Sequence, residues 1–337
     1  MKLSASRKNL PIIGPATHFL ALPERNPDSA LKGLKGLART FVEAELAIAR
    51  CDFKRGMELA ERLVQVDRYA FAAMRIGVIS ATGLGDLKAF DRFLKVLADY
   101  RKRTAEPTTK CAVAITEAWI RQFLWIPDGY PDWMDRFDLT DIPAPWRPAV
   151  AYLGVKIRLN RGEFESAYAA ASLFLNFICP QHGITAACSY AKFSLAIACR
   201  ETERTGEMLK WLEEMVGMLA PHGILLPLLL FMYGSYKSPV EELLAEVVPD
   251  QVSRYRTLAK GYFTNLIRVR NHFTGERTTE ELSFREFYLA MLLKRGWAYK
   301  ELAGRFTISV GRMRNLVSIL YEKLHIHGRN ELADLVW

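Results

Sequence analysis

Arg312, Arg314 and Asn315 crowd the start of one short helical pattern near the C-terminus, and their chemistry is recognition rather than bond-making. A guanidinium pairs with the edge of guanine or with phosphate, and a carboxamide suits adenine. Arg312 and Arg314 are two residues apart, so they point about 200° apart at about 100° per residue. One is expected to read bases while the other reaches phosphate. Elsewhere the chain offers no bond-making constellation. Its five cysteines are odd in number, widely spaced and without a C-x-x-C pair, so neither a disulfide framework nor a zinc site follows. Cys188 and Cys199 share a helical face with Leu195, as core residues do. The six histidines form no H-E-x-x-H, and His325 and His327 suit a polar surface at a helix end. No phosphate-cradling Gly-x-x-x-x-Gly-Lys-Ser/Thr loop and no receiver-type aspartate is present, so no enzyme, cofactor or metal is expected.

Three helical patterns, with tight polar breaks between them, must position that cluster. The first runs from Arg285 to Arg295 with Leu289, Leu292 and Leu293 at helical spacing, and Ser283 stands three residues before Glu286, as a capping box requires. Gly296 stops it. The second, Tyr299 to Phe306, puts Leu302, Ala303 and Phe306 on one face, and Ser309 is a good N-cap for a third. In this layout one short helix spans the phosphate backbone and the next presents its N-terminal half to the major groove.

Leu282-Ser283-x-Arg285-Glu286, Gly296, Lys300-Glu301-Leu302-Ala303, Ile308-Ser309, Lys323-Leu324-x-Ile326 and Arg329-x-Glu331-Leu332 together resemble the C-terminal DNA-binding domain of LuxR-type (LuxR/FixJ) bacterial transcriptional regulators. The resemblance covers about a sixth of the chain and lies in the spacing of many residues. It implies a helix-turn-helix domain over 282–337, a recognition helix over about 309–324, and DNA contacts from Lys300, Ser309, Arg312, Arg314, Asn315 and Ser318, with Arg314, at the basic position the family uses on this helix and beside Asn315, as the base reader and Arg312 on phosphate. Phe284, Tyr288 and Leu316 depart from the pattern where Pro, Glu and His are usual, and Arg312 replaces the usual Thr.

Charge points the same way independently. The chain is 337 residues long with a net charge of +9. Residues 251–337 hold 15 Lys plus Arg against 8 Asp plus Glu, while the first 250 hold 31 against 29. Such a local excess contributes salt-dependent affinity for a duplex, which carries one phosphate charge per about 1.7 Å of axis. Arg254, Arg256, Lys260, Arg268 and Arg270 lie on what reads as a basic helical connector over 251–281. They would flank the duplex or keep the connector soluble.

From 28 to 250 the sequence is nearly all amphipathic helix, arranged as hairpins: Phe41 to Arg50 with Lys54 to Val66, Phe71 to Ala81 with Leu87 to Tyr100, Val150 to Leu159 with Phe164 to Phe177, and Ala186 to Arg200 with Gly206 to Leu219. Asp52 and Asp86, each opening a second helix, are 34 residues apart, the period of tetratricopeptide-like repeats. Gly56, Ala89 and Ala167 suit the close approach of paired helices. The proline- and tryptophan-rich stretch from Trp125 to Trp133, continuing through Trp146, breaks the pattern and reads as a plug between hairpins or a pocket wall. The longest apolar run, Gly223 to Tyr233, is too short for a membrane span and contains Pro227, so it reads as a buried helix. Residues 1–27 form an N-terminal segment without a continuous apolar signal region, and a cytoplasmic location is expected.

The expectation is therefore an all-α chain of stacked helical hairpins (28–250), a connector (251–281) and a LuxR-type helix-turn-helix domain (282–337). It would act as a transcriptional regulator on double-stranded DNA, as a homodimer, with a protein or small-molecule effector on the hairpins and no membrane partner. The rival reading is a repeat scaffold whose tri-helical end contacts protein only.

Overall fold

The computed structural model describes residues 10–14, 27–178, 186–231, 238–275 and 282–335, and every regular element among them is a helix. The chain is all-α. Among the described residues no helix is long and apolar enough to cross a membrane.

The hairpins begin with α1 (Gly36–Ala49) and α2 (Phe53–Leu63), then α3 (Asp67–Leu84) and α4 (Leu87–Arg103). Asp52 and Asp86 are the N-caps of α2 and α4, accepting the backbone N–H of Arg55 at 3.1 Å and of Ala89 at 2.9 Å. Each thereby satisfies one of the first-turn donors that a helix leaves unpaired. Gly56 of α2 sits where a Cβ would lie 2.6 Å from Ser80 Oγ and 2.8 Å from the Ile48 side chain, so only glycine lets these helices approach as they do. Ala89 and Ala167 are likewise fully buried. After α5 (Pro107–Phe123) comes the broken stretch, with a single turn α6 (Asp132–Asp135), then α7 (Arg147–Arg161) and α8 (Phe164–Leu173). Trp146 is buried, and its indole N–H donates to the carbonyl of Pro11 at 3.1 Å. The next pair is α9 (Ala186–Glu201) and α10 (Thr205–Leu219), followed by the short buried α11 (Leu226–Leu230) inside the apolar run and by α12 (Pro239–Val247).

The stack closes on itself. Residues 251–281, expected as a basic helical connector, are for most of their length the helix α13 (Val252–Thr274), which packs into the main core through the buried Tyr255, Tyr262, Leu266 and Val269. Asn265 of α13 donates to the carbonyl of Gly83 at 3.0 Å, and the Tyr262 and Phe53 rings stack at 5.6 Å. Leu225 N–H reaches the carbonyl of Ala49 at 3.0 Å, and Arg254 that of Arg50 at 2.6 Å. Residues 10–14 pack against α3, with Ile12 exchanging two backbone hydrogen bonds with Arg68 and Ala72.

A second core lies under α14 (Phe284–Lys294), α15 (Tyr299–Arg305) and α16 (Val310–Leu324). Phe287, Leu292, Leu293, Leu302, Phe306, Met313, Val317 and Leu320 fill it, and α13 contributes Phe263 and Ile267 from a face about 110° round from the one it buries in the main core. One helix thus belongs to both cores.

Candidate nucleic-acid interface

The C-terminal unit is built by local signals. Ser283 and Glu286 form the expected capping box, the carboxylate accepting the Ser283 N–H at 2.7 Å. Lys323 of α16 ion-pairs with the same carboxylate at 2.8 Å. Partial burial works against the charged form of Glu286, but Lys323 and the Ser283 donors outweigh it and hold the carboxyl below its ordinary range. Gly296 follows α14 with φ near +92°, which suits glycine, and Thr307 carries φ +56° in the turn before α16. The Ile308 N–H closes that turn on the carbonyl of Ala303 at 3.0 Å.

The heptad-like spacing of Met313, Val317, Leu320 and Leu324 buries one stripe of α16. Arg312, Arg314, Asn315 and Ser318 are all exposed. At about 100° per residue Asn315 lies opposite the buried stripe, with Arg312 and Arg314 on its two flanks. Lys300, the second residue of α15, is exposed. Ser309 is exposed too, yet its hydroxyl accepts the Arg312 N–H at 3.2 Å as the N-cap, so its first role is to set where α16 begins. Val310 and Ile319, which the sequence reading did not single out, are exposed large apolar residues of α16. None of the six expected contact residues is covered by the hairpins.

Of the basic residues on α13, Lys260 and Arg268 are exposed, Arg256 pairs with Glu241 at 2.5 Å, Arg254 is tied to Arg50, and Arg270 is buried with its guanidinium 5.9 Å from the Phe287 ring. His325 caps α16 in a left-handed conformation, and His327 is exposed. Cys199 is buried and free, Cys179 lies outside the described residues, and the side chain of Cys188 does too. The described residues contain no cluster of His, Cys, Asp and Glu able to hold a metal.

A polar junction that the sequence reading missed joins the unit to the hairpins. Glu201, last residue of α9, has a side chain only 2% exposed. Its Oε1 accepts hydrogen bonds from Arg305 Nη2 at 2.8 Å, Arg200 Nε at 2.7 Å and the Tyr288 hydroxyl at 3.1 Å. Arg305 also donates to the Tyr288 hydroxyl at 2.7 Å and to the carbonyl of Arg200 at 2.9 Å. Burial alone would raise the Glu201 carboxyl, but the guanidinium groups of Arg200 and Arg305 hold it below its ordinary value, and burial raises Tyr288. The one signal in the sequence was Tyr288 itself, which stands where the LuxR-type pattern has Glu. A Glu there would set a second carboxylate beside the buried Glu201. Beside this cluster, Trp125 stacks on Phe287 at 6.1 Å and packs against Phe263.

No family model matches this chain, and no curated protein or solved structure matches it either.

Proposed function

We propose that the chain is a DNA-binding transcriptional regulator of LuxR-type design. The helix-turn-helix over 282–337 sets α16 in the major groove of double-stranded DNA, and the tetratricopeptide-like hairpins receive a ligand or protein signal in the cytoplasm. The observation that carries this reading is that α16 buries its apolar stripe while Arg312, Arg314, Asn315 and Ser318 stay open to solvent. The excess of basic residues in the last quarter of the chain supports it. A homodimer would set two such helices on half-sites one or more helical turns apart.

The rival, a scaffold whose tri-helical end contacts only protein, draws on the exposed Val310 and Ile319 of the same helix. Titration of the full-length chain against a labelled duplex at several salt concentrations separates the two. Affinity that falls steeply with salt supports DNA binding, and no retention of duplex at low salt leaves the scaffold.

A further inference from the structure

Two cavities meet at the junction between the hairpins and the C-terminal unit. The inner one contains about 820 Å3 of empty space including its mouth and is walled by Trp119, Trp125, Tyr152 and Tyr190 among apolar neighbours. The outer one, about 740 Å3 on the same measure, runs between α7 and α9 on one side and Phe287, Tyr288 and Met291 of α14 on the other. Trp125, Lys156 and Leu230 line both, so the two cavities adjoin at these three side chains, and only the outer one reaches α14.

The charges lining the two cavities do not balance. Arg75 and Lys156 line the inner cavity, and Arg200 and Arg295 line the outer with a single carboxylate, Glu201. Glu201 is taken by Arg200 and Arg305. Arg75 is 3% exposed and ion-pairs with Glu45, yet its Nε has no hydrogen-bond partner. Lys156 is half-buried and has neither a hydrogen bond nor an ion pair among the described residues, and the burial that it has pushes its ammonium down to about 8. An ammonium half-buried in an aromatic cavity without a counter-charge has lost part of its hydration, and a bound anion offsets that loss.

We propose that the inner cavity binds a small amphipathic monoanion, an aromatic or short aliphatic carboxylate, with its acid group on Lys156 and its apolar body between Trp125 and the tyrosines. Such a ligand touches Trp125, which stacks on Phe287. Occupancy therefore bears on how α14 sits against the hairpins, and the acid is the effector of the regulator. That last step rests on the function proposed above, whereas binding itself does not.

The test uses the full-length chain with phenylacetate and hexanoate as probes, each against its neutral amide, followed by tryptophan fluorescence and titration calorimetry. The acids bind, and the amides bind at least about tenfold more weakly, the worth of one charge-assisted hydrogen bond. Lys156→Met lowers acid affinity by a similar factor and leaves the amides unchanged, and Lys156→Arg restores part of it. Equal binding of acid and amide, no binding of either, or acid binding indifferent to Lys156→Met overturns the proposal. Duplex affinity is then measured with and without acid. A shift in the native chain that Lys156→Met abolishes supports the effector role, and duplex binding indifferent to a bound acid overturns that role. Acid binding through Lys156 in a chain that retains no duplex at any salt leaves the site standing and removes the regulator.

Discussion

Arg305 of α15 and Glu201 of α9, 104 residues apart in sequence, meet at 2.8 Å in a junction where neither side chain is more than 14% exposed. A pair so placed fixes orientation more than it adds stability, because its desolvation offsets much of its attraction. Removing one partner is another matter. Glu201→Gln leaves Arg200 and Arg305 facing each other with no carboxylate, and about 3 kcal/mol of docking should be lost. Differential scanning calorimetry should then show the C-terminal unit melting ahead of the hairpins. A single unchanged transition would mean that the apolar contacts alone hold the junction.

The same carboxylate sets a pH dependence. The folded-state value of Glu201 lies below the ordinary 4.5, so its contribution is fully present above about that pH and is lost as pH falls through the lowered value. Stability of the native chain should fall between pH 5 and pH 3 by more than that of Glu201→Gln, as urea unfolding at the two pH values would show. Equal losses would assign the acid sensitivity to other carboxylates.

For DNA, Lys300→Ala should weaken binding to every sequence and flatten the salt slope by about one unit, as loss of one phosphate contact does. An unchanged slope would place Lys300 away from the duplex.

Arg312 and Arg314 flank Asn315 on the open face of α16, so their loss should differ in kind. Arg314→Ala should cost about 1 to 3 kcal/mol on a selected site and relax sequence preference, while Arg312→Ala should weaken selected and scrambled duplexes alike. Binding curves for both variants on both duplexes decide it. Equal losses on the two duplexes for Arg314→Ala would show that it positions the protein and reads nothing.

Packing of the hairpins is tested by three substitutions. Ala167→Trp overpacks a fully buried site and should cost about 1 to 3 kcal/mol. Gly162→Leu acts differently: Gly162 caps α7 with φ +76°, and an added Cβ would lie 3.4 Å from the Arg295 guanidinium, so the cost is backbone strain of about 1 kcal/mol. Gly217 lies inside α10 with nothing within 4 Å of an added Cβ, and Gly217→Ala should stabilise by about 0.5 to 1 kcal/mol. Thermal melts ranking the three otherwise would place these residues in other surroundings.

Much of this was legible in the sequence because it is local. Asp52, Asp86, Ser283 and Ser309 announce the helices that they cap, and each bond that they make spans three residues. Apolar spacing likewise marked the faces of α14 and α15 through Leu289, Leu292, Leu293, Leu302, Ala303 and Phe306, whereas the stripe of Met313, Val317, Leu320 and Leu324 on α16, equally local, was not singled out. What local pattern cannot carry is the return of α13 over the first hairpins. Its buried and basic positions alternate as on any amphipathic helix, and only tertiary closure buries Arg270. The Glu201 junction was hidden for the same reason, since its members come from α9, α14 and α15.

The return of α13 also governs the order in which the chain can assemble. Asn265 bonds to Gly83 across 182 residues, and Arg254 to Arg50 across 204. A ribosome adding about 5 to 20 residues per second needs roughly 10 to 40 s to make the intervening chain. For that interval the face of α3 destined for α13 has no partner from its own chain. Nascent α1 to α4 should therefore engage a chaperone until residue 274 has left the exit tunnel, and a chain truncated before α13 should be recovered as aggregate.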